Sequence, residues 1–372
     1  DIDVADYTTG GAEVAYFDKN TFYNDETVTG VSNSVASQTA KLNARAMGYE
    51  EFAESSLKVG GLSVKESILT RLYGDFGLTY TAAAANGKGT ENEPFVIPTS
   101  VDENGSVKSI GLRNLKVVDN YMNLHFLLDD TSGEKFDASD VIGEIAIHKV
   151  FNGSLTSLSG NYMQFDNLGG AVGAYENELF GLFGRLNGKV SKIVFGNIGI
   201  NVNYVGENEF HAGLVAAIGY ENAEVSDVIF IGTESIKSVA KVYAGTVFGK
   251  ANGSMVYDVF NINNITVSGN NVVVGGMIGK AQDVVTYNAA NKGAIYLLGR
   301  VEARGEALAV GGVLGSGAIA GNANNVYTIA SNTYSGGLVL EEKPVGSKNG
   351  AAFGINTVRF DDEGMRQSTA FS

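Results

Sequence analysis

VVVGGMIGKA, residues 272–281, decides how this chain reads. Taken alone, its glycines and lysine suggest a loop around a nucleotide phosphate. It has relatives, however: FGLFG (180–184), AGLVA (212–216), GTVFG (245–249), GGMIG (275–279), GGVLG (311–315) and GAAFG (350–354). Each is a five-residue cluster of small residues around an apolar pair, ending in glycine or alanine. The last positions are separated by 32, 33, 30, 36 and 39 residues. A recurrence of this length belongs to an architecture of stacked units and is settled before any single motif is interpreted.

The phosphate reading then fails on chemistry. A phosphate loop needs glycine five residues ahead of its Gly-Lys pair and Ser or Thr behind it. Gly279-Lys280 has Val274 and Ala281 in those places, and Gly249-Lys250 has Ala244 and Ala251. Nucleotide is therefore not an expected partner. Nor is nucleic acid, because 26 Lys+Arg against 41 Asp+Glu give a net charge of −15 with no basic cluster. The absence of cysteine excludes disulfides, thiolate metal sites and cysteine nucleophiles. No apolar run reaches the roughly 18 residues that a bilayer span requires, so membrane insertion of this segment is not expected. The acidic opening DIDVADYTTGG lacks a basic n-region, which reads as a mature chain or a piece of a longer one.

Short apolar segments follow each cluster. KVSKIVFGNI (from Lys189), EVSDVIFIGT (Glu224), MVYDVFNINN (Met255), DVVTYNAANK (Asp283) and NNVYTIASNT (Asn324) read as equivalent strands, headed by Val190, Val225, Val256, Val284 or Val285, and Val326. INVNYV (200–205), ITVSGN (265–270) and AIYLLG (294–299) supply a third strand per unit, with Asn, Asp, Gly and Ser between. About three strands per repeat without helical spacing predict an all-β, right-handed parallel β-helix over 81–372, with repeats of about 30–39 residues. Residues 1–80 read as a separate, partly helical segment. QTAKLNARAMGYEEFAES (38–55) has helical spacing, and SVKESILTRLYG (63–74) carries Ser63 and Glu66 as a capping box with Gly74 as its stop.

These residues resemble the GLUG-type repeat modules of bacterial surface proteins, named for the Gly-Leu-x-Gly core seen at Gly181–Gly184. The resemblance extends to Gly89-Thr90-Glu91-Asn92-Glu93-Pro94-Phe95-Val96-Ile97, to Ile142-Gly143 and to Phe151-Asn152-Gly153-Ser154, over roughly residues 87–360. Ala216 and Thr246 depart from it, each standing where a glycine is expected. Val14-Ala15-Tyr16-Phe17-Asp18 resembles the closing strand of such a module, so residues 1–80 read as the tail of a preceding one. The resemblance implies a β-helix in an adhesin-like surface protein, or a non-catalytic region of an immunoglobulin-A-cleaving metallopeptidase.

Site chemistry is sparse. His125, His148 and His211 form no metal or triad motif. DDTSGEKFDASD (129–140) gathers Asp129, Asp130, Glu134, Asp137 and Asp140, a set of oxygen donors that calcium could use, although Gly133 is out of register for an EF-hand. DKNTFYNDE (18–26) is a second acidic loop of this kind. Tyr204, Tyr220 and Tyr334 stand in polar contexts where sugars could stack. Lys192, Asp227 and Asp258 each fall two residues after the strand-heading valine, so successive rungs would stack them on one face. The expected function is a non-catalytic structural or adhesive module, extracellular, secreted or at the cell surface, meeting a host-cell or extracellular protein or glycan. The alternatives are a carbohydrate-active β-helix (polysaccharide lyase or hydrolase) and an accessory region of a large secreted protease.

Overall fold

The computed structural model describes residues 61–97 (except 84), 115–131, 135, 147–166, 168–283 and 295–317, with short strands at 22–23, 46–47, 58–59, 100–101, 107–108, 136–137, 285–287, 319–321, 326–328, 333–336, 358–360 and 366–368. The chain divides into two units, Asp1–Thr90 and Glu91–Ser372.

In the first unit, helix α1 (Val64–Asp75) starts where the capping box places it. The Ser63 hydroxyl accepts from the Glu66 N–H, and the Glu66 carboxylate accepts from the Ser63 N–H at 2.9 Å. Val64, Leu69, Leu72 and Tyr73 are its buried face, and the Tyr73 hydroxyl donates to the Gly87 carbonyl at 2.9 Å. The helix expected over 38–55 is not seen where that stretch is described. Ala46–Met47 instead pairs in parallel with Phe22–Tyr23, satisfying backbone groups between segments rather than within one. Its other residues lie outside the described ones.

The second unit is a parallel β-solenoid of about five turns. A full turn passes through five ladders. The first follows the glycine cluster: Ile147–Phe151, Phe183–Leu186, Ala216–Gly219, Phe248–Asn252, Ile278–Asp283 and Leu314–Ser316 form a separate six-stranded sheet. The second, third and fourth are often one bent strand, as in Lys189–Tyr204 and Glu224–Ser238, which pair from Lys189↔Glu224 through Ile193↔Val228 to Tyr204↔Ser238. The fifth holds Leu179–Phe180, Phe210–Ala212, Val242–Gly245 and the ends of Asn264–Gly275 and Val301–Gly311.

Stacking in register places like on like. Val190, Val225 and Val256 form one buried column. Phe165, Phe195 and Phe230 form another, the last two stacked 5.0 Å apart. Out of register, Phe151, whose ladder partner is Leu186, also stacks on Phe183 at 4.8 Å. Where the first ladder bends into the second, asparagines run from turn to turn. Asn152 Nδ2 donates to Asn123 Oδ1 (2.8 Å), Asn187 Nδ2 to Asn152 Oδ1 (3.0 Å), and the Asn222 N–H to Asn187 Oδ1 (3.2 Å). Asn187→Ala strips a partner from each side and should cost about 1–2 kcal/mol in a denaturant titration.

The glycine corner joins the fifth ladder to the first, and its register corrects the sequence reading by one residue. Ala212 pairs with Ala244, so Gly213 aligns with Gly245, Gly275 and Gly311. Ala216 therefore replaces no glycine. It stacks with Phe183 and Phe248 in the apolar column, and Ala217 takes the glycine's place. The reason is close approach of backbones. A Cβ on Gly213, Gly245 or Gly275 would lie 2.7 Å from the N atom of Gly249, Gly279 or Gly315 on the next turn. Conversely, a Cβ on Gly249 or Gly279 would lie 2.5 Å from the N atom of Ala212 or Ala244 on the turn before.

Three other assignments also move. Tyr287, rather than Val284 or Val285, pairs with Val256. AIYLLG and Val326 belong to the third ladder, through Val259↔Ile295↔Val326, and the fourth-ladder partner of Ile265 is Val301. Loops of unequal length hid this, because apolar content alone does not distinguish one ladder from the next.

Candidate functional site: an outward face on the second and third ladders

Lys192, Asp227 and Asp258 immediately precede Ile193, Val228 and Val259, which pair in register, so the structure does bring them into one column. Tyr162, ahead of Met163, joins the column one turn earlier. All three of Lys192, Asp227 and Asp258 adopt left-handed backbone angles (φ 60°, 50° and 53°). That conformation is uncommon for non-glycine residues, and for Lys it costs on the order of 1 kcal/mol. Here it makes the sharp bend from the second ladder to the third. Lys192 Nζ lies 2.8 Å from Asp227 Oδ1 and 5.3 Å from the centre of the Tyr162 ring. The hydrogen bond to Asp227 holds the Lys192 ammonium above its usual range, while burial and then Asp227 raise the Tyr162 phenol.

Beside this column, the outward side chains of the second ladder are tied across turns. His125 Nδ1 meets Ser154 Oγ at 2.9 Å, the Ser191 hydroxyl donates to Thr156 Oγ1 at 2.9 Å, Lys189 pairs with Glu224 at 3.5 Å, and the Tyr257 hydroxyl donates to Glu224.

The outward side of the third ladder is different. Val194, Ile229, Phe260 and Tyr296 form one column. Ile231, Ile262 and Leu298 form a second at the following bend, where the Ile262 N–H bonds the Phe230 carbonyl and the Leu298 N–H bonds that of Asn261. Tyr296, Ile231 and Ile262 are 40%, 41% and 39% exposed, and Phe260 and Tyr296 are tilted together with centroids 5.7 Å apart. Solenoid surfaces are ordinarily polar, and an apolar patch rimmed by charges marks an interaction site. A sequence signal existed: IVF, VIFI and DVF break the alternation that a half-buried strand should keep.

The other sequence candidates are placed as follows. Asp129 Oδ1 accepts from the Thr131 N–H (3.1 Å) and hydroxyl (2.6 Å), and Asp130 accepts from the Ser159 N–H (2.8 Å) and hydroxyl. Both act as loop ties. The Asp137 backbone pairs with Asp166, and Glu134 and Asp140 lie outside the described residues. So does the 18–26 loop apart from Phe22–Tyr23. Among the described residues, no three His, Asp or Glu converge as a metal set. Tyr204 is buried, stacked 4.4 Å from Phe210, and so offers no sugar platform; Tyr220 is half-buried and Tyr334 lies on a fourth-ladder strand.

Sequence reasoning missed a buried polar cluster. Glu234 stands in register between Ile200 and Ile265, facing inward and 2% exposed. Asn263 Nδ2 donates to it and lies 3.4 Å from Thr246 Oγ1, while Asn261 Nδ2 donates to the Gly276 carbonyl at 2.7 Å. Burial pushes the Glu234 carboxyl up to about 8, against the lowering effect of its bonds to Asn263 and Thr246.

No family model and no curated protein matches the chain. Among solved structures, a Bacteroides ovatus protein provisionally assigned as an immunoglobulin A1 protease aligns with a TM-score of 0.41 and 14% identity, over 79% of this chain and 97% of that one. The likeness to GLUG-type modules thus rests on the sequence phrases that begin at Gly89, Ile142, Phe151 and Gly181.

Proposed function

We propose that the chain is a non-catalytic β-helical module of a secreted or surface-exposed bacterial protein. Its third-ladder stripe, rimmed by the Tyr162–Lys192–Asp227–Asp258 column, receives a host-cell or extracellular protein or glycan. The observation that carries this reading is the outward apolar double column, with Val194, Ile229 and Phe260 half-buried and Ile231, Ile262 and Tyr296 exposed, repeated over successive turns. A parallel solenoid is rigid and long, and it presents such a stripe without using any acid–base pair. A glycoside hydrolase would instead need two carboxyl groups flanking a scissile bond. Here Asp227 is engaged by Lys192 at 2.8 Å.

The test is binding to immobilised extracellular-matrix proteins and to a glycan array. The double variant Phe260→Ser/Tyr296→Ser should lose at least about tenfold in affinity, since each large apolar contact is worth about 1–3 kcal/mol, with little change in melting temperature. Polysaccharide turnover that disappears in Asp227→Ala would establish the enzymatic reading instead.

A further inference from the structure

On other ladders, the corner between the fifth and the first carries a second feature. Lys250 and Lys280 hold the same place on adjacent turns of the first ladder. Both are half-buried, and among the described residues neither has an ion-pair partner. Lys149 and Lys237 are also unpaired among the described residues, but both are exposed. Lys135, Lys189 and Lys192 each reach a carboxylate of a neighbouring turn, Asp166 at 3.3 Å, Glu224 at 3.5 Å and Asp227 at 2.8 Å. Like charges directly opposite in a ladder repel, and in a chain of net charge −15 a carboxylate partner would be easily supplied.

Lys280 stands over a buried aromatic pair, with Tyr243 2% exposed. Lys280 Nζ and Lys241 Nζ are each 5.1 Å from the centre of the Tyr243 ring, and Tyr243 lies parallel to His211 with centroids 5.3 Å apart. His211 is 8% exposed, and its Nδ1 is buried without a hydrogen-bond partner. Burial first, then the Lys250 charge, depress its pKa to about 4, so the imidazole is neutral at physiological pH and supplies no cation of its own. Two carboxylates border the patch. Glu209 accepts from the Tyr243 hydroxyl at 3.2 Å, and Glu178 accepts from Asn208 Nδ2 at 2.6 Å.

We propose that this corner is a binding site for an acidic glycan, whose carboxylate or sulfate group bridges Lys250 and Lys280 above the Tyr243–His211 stack. Two lysines in register on adjacent turns call for an oxyanion. The adjacent Glu178 and Glu209 call for hydrogen-bond donors, which sugar hydroxyls provide and an acidic peptide's further carboxylates do not. The site shares no residue with the third-ladder stripe, so it stands or falls separately from the function proposed above.

The experiment is calorimetric titration of the whole chain at low salt with a sulfated polysaccharide and, separately, with a polyuronate. At least one should bind, weaken as salt is raised, and lose at least about tenfold in affinity in Lys250→Ala/Lys280→Ala. Lys250→Arg/Lys280→Arg should retain binding, as should Lys237→Ala, which removes an exposed fourth-ladder lysine outside both sites. Absence of binding by either polymer, or unchanged binding in the folded double alanine variant, overturns the proposal. So does polyglutamate binding as tightly as the glycans, which would mark a patch without sugar selectivity.

Discussion

Gly276→Val is expected to lower stability by about 3 kcal/mol, the upper end of ordinary overpacking. A Cβ at this position would stand 2.1 Å from the Gly312 carbonyl oxygen and 3.3 Å from Val301 Cγ2. The first obstacle is backbone of the next turn, so no rotamer relieves the clash, and a displaced corner passes its strain to both neighbouring turns. Gly199→Ala is the matched control. Gly199 is also a strand glycine, but it is exposed and a Cβ there meets nothing within 4 Å. That change should stay within about 0.5 kcal/mol. Denaturant melts of the two variants read the difference directly, and equal losses would remove the close-packed corner from the explanation of the repeat.

That corner was legible before any coordinates, because close approach of backbones restricts composition so strongly that it leaves Gly in turn after turn. Its register was less so. Gly213-Leu214-Val215-Ala216-Ala217 fits the pattern one residue later than the string AGLVA suggests, and the pairings of Ala212 with Ala244 and of Ala216 with Phe248 distinguish the two. The Lys192–Asp227–Asp258 column was legible for a related reason, since equal spacing from a buried valine becomes vertical alignment once strands stack in parallel. The lysine corner was not, since Tyr243 and His211 meet Lys250 and Lys280 across two ladders that sequence order keeps apart. The buried cluster was the least accessible. Glu234 interrupts an isoleucine column, Asn261 follows Phe195 and Phe230 in a phenylalanine column, and Thr246 stands where Gly276 stands in the next turn. Each departure alone looks like drift in a loose repeat. Together they are mutually hydrogen-bonded replacements, and that depends on three-dimensional neighbours.

This cluster sets the second large effect, a fall in stability with rising pH. The unfolded chain releases the Glu234 proton at about pH 4.3, whereas the folded chain holds it until about pH 8. Between those values the native state binds the extra proton, so stability is fully present below about pH 4 and declines as pH rises through about 8. Above that, both states are ionised and the slope ends. Within the window, raising the pH by one removes about 1.4 kcal/mol at full slope, which makes the total loss on the order of a few kcal/mol. Glu234→Gln keeps the shape and an acceptor for Asn263 but cannot titrate. Its stability should be nearly flat across the window where the parent declines. Equal slopes in the two proteins, measured by denaturation at about pH 5, 6.5 and 8 to span that window, would show that the carboxyl is not the titrating group.

The reciprocal seating of the corner glycines also has a mechanical meaning. Gly249 rests on Ala212 of the turn before, and Gly213 lies beneath Gly249 of the turn after, so adjoining turns clasp each other along one edge like the teeth of a fastener. A turn peeled from the end by tension must release its clasp together with its ladder bonds, while the loop at 206–209, which carries no ladder strand, can lengthen first. Load along the solenoid therefore concentrates on the glycine edge, so the coil resists unravelling where its side chains are smallest.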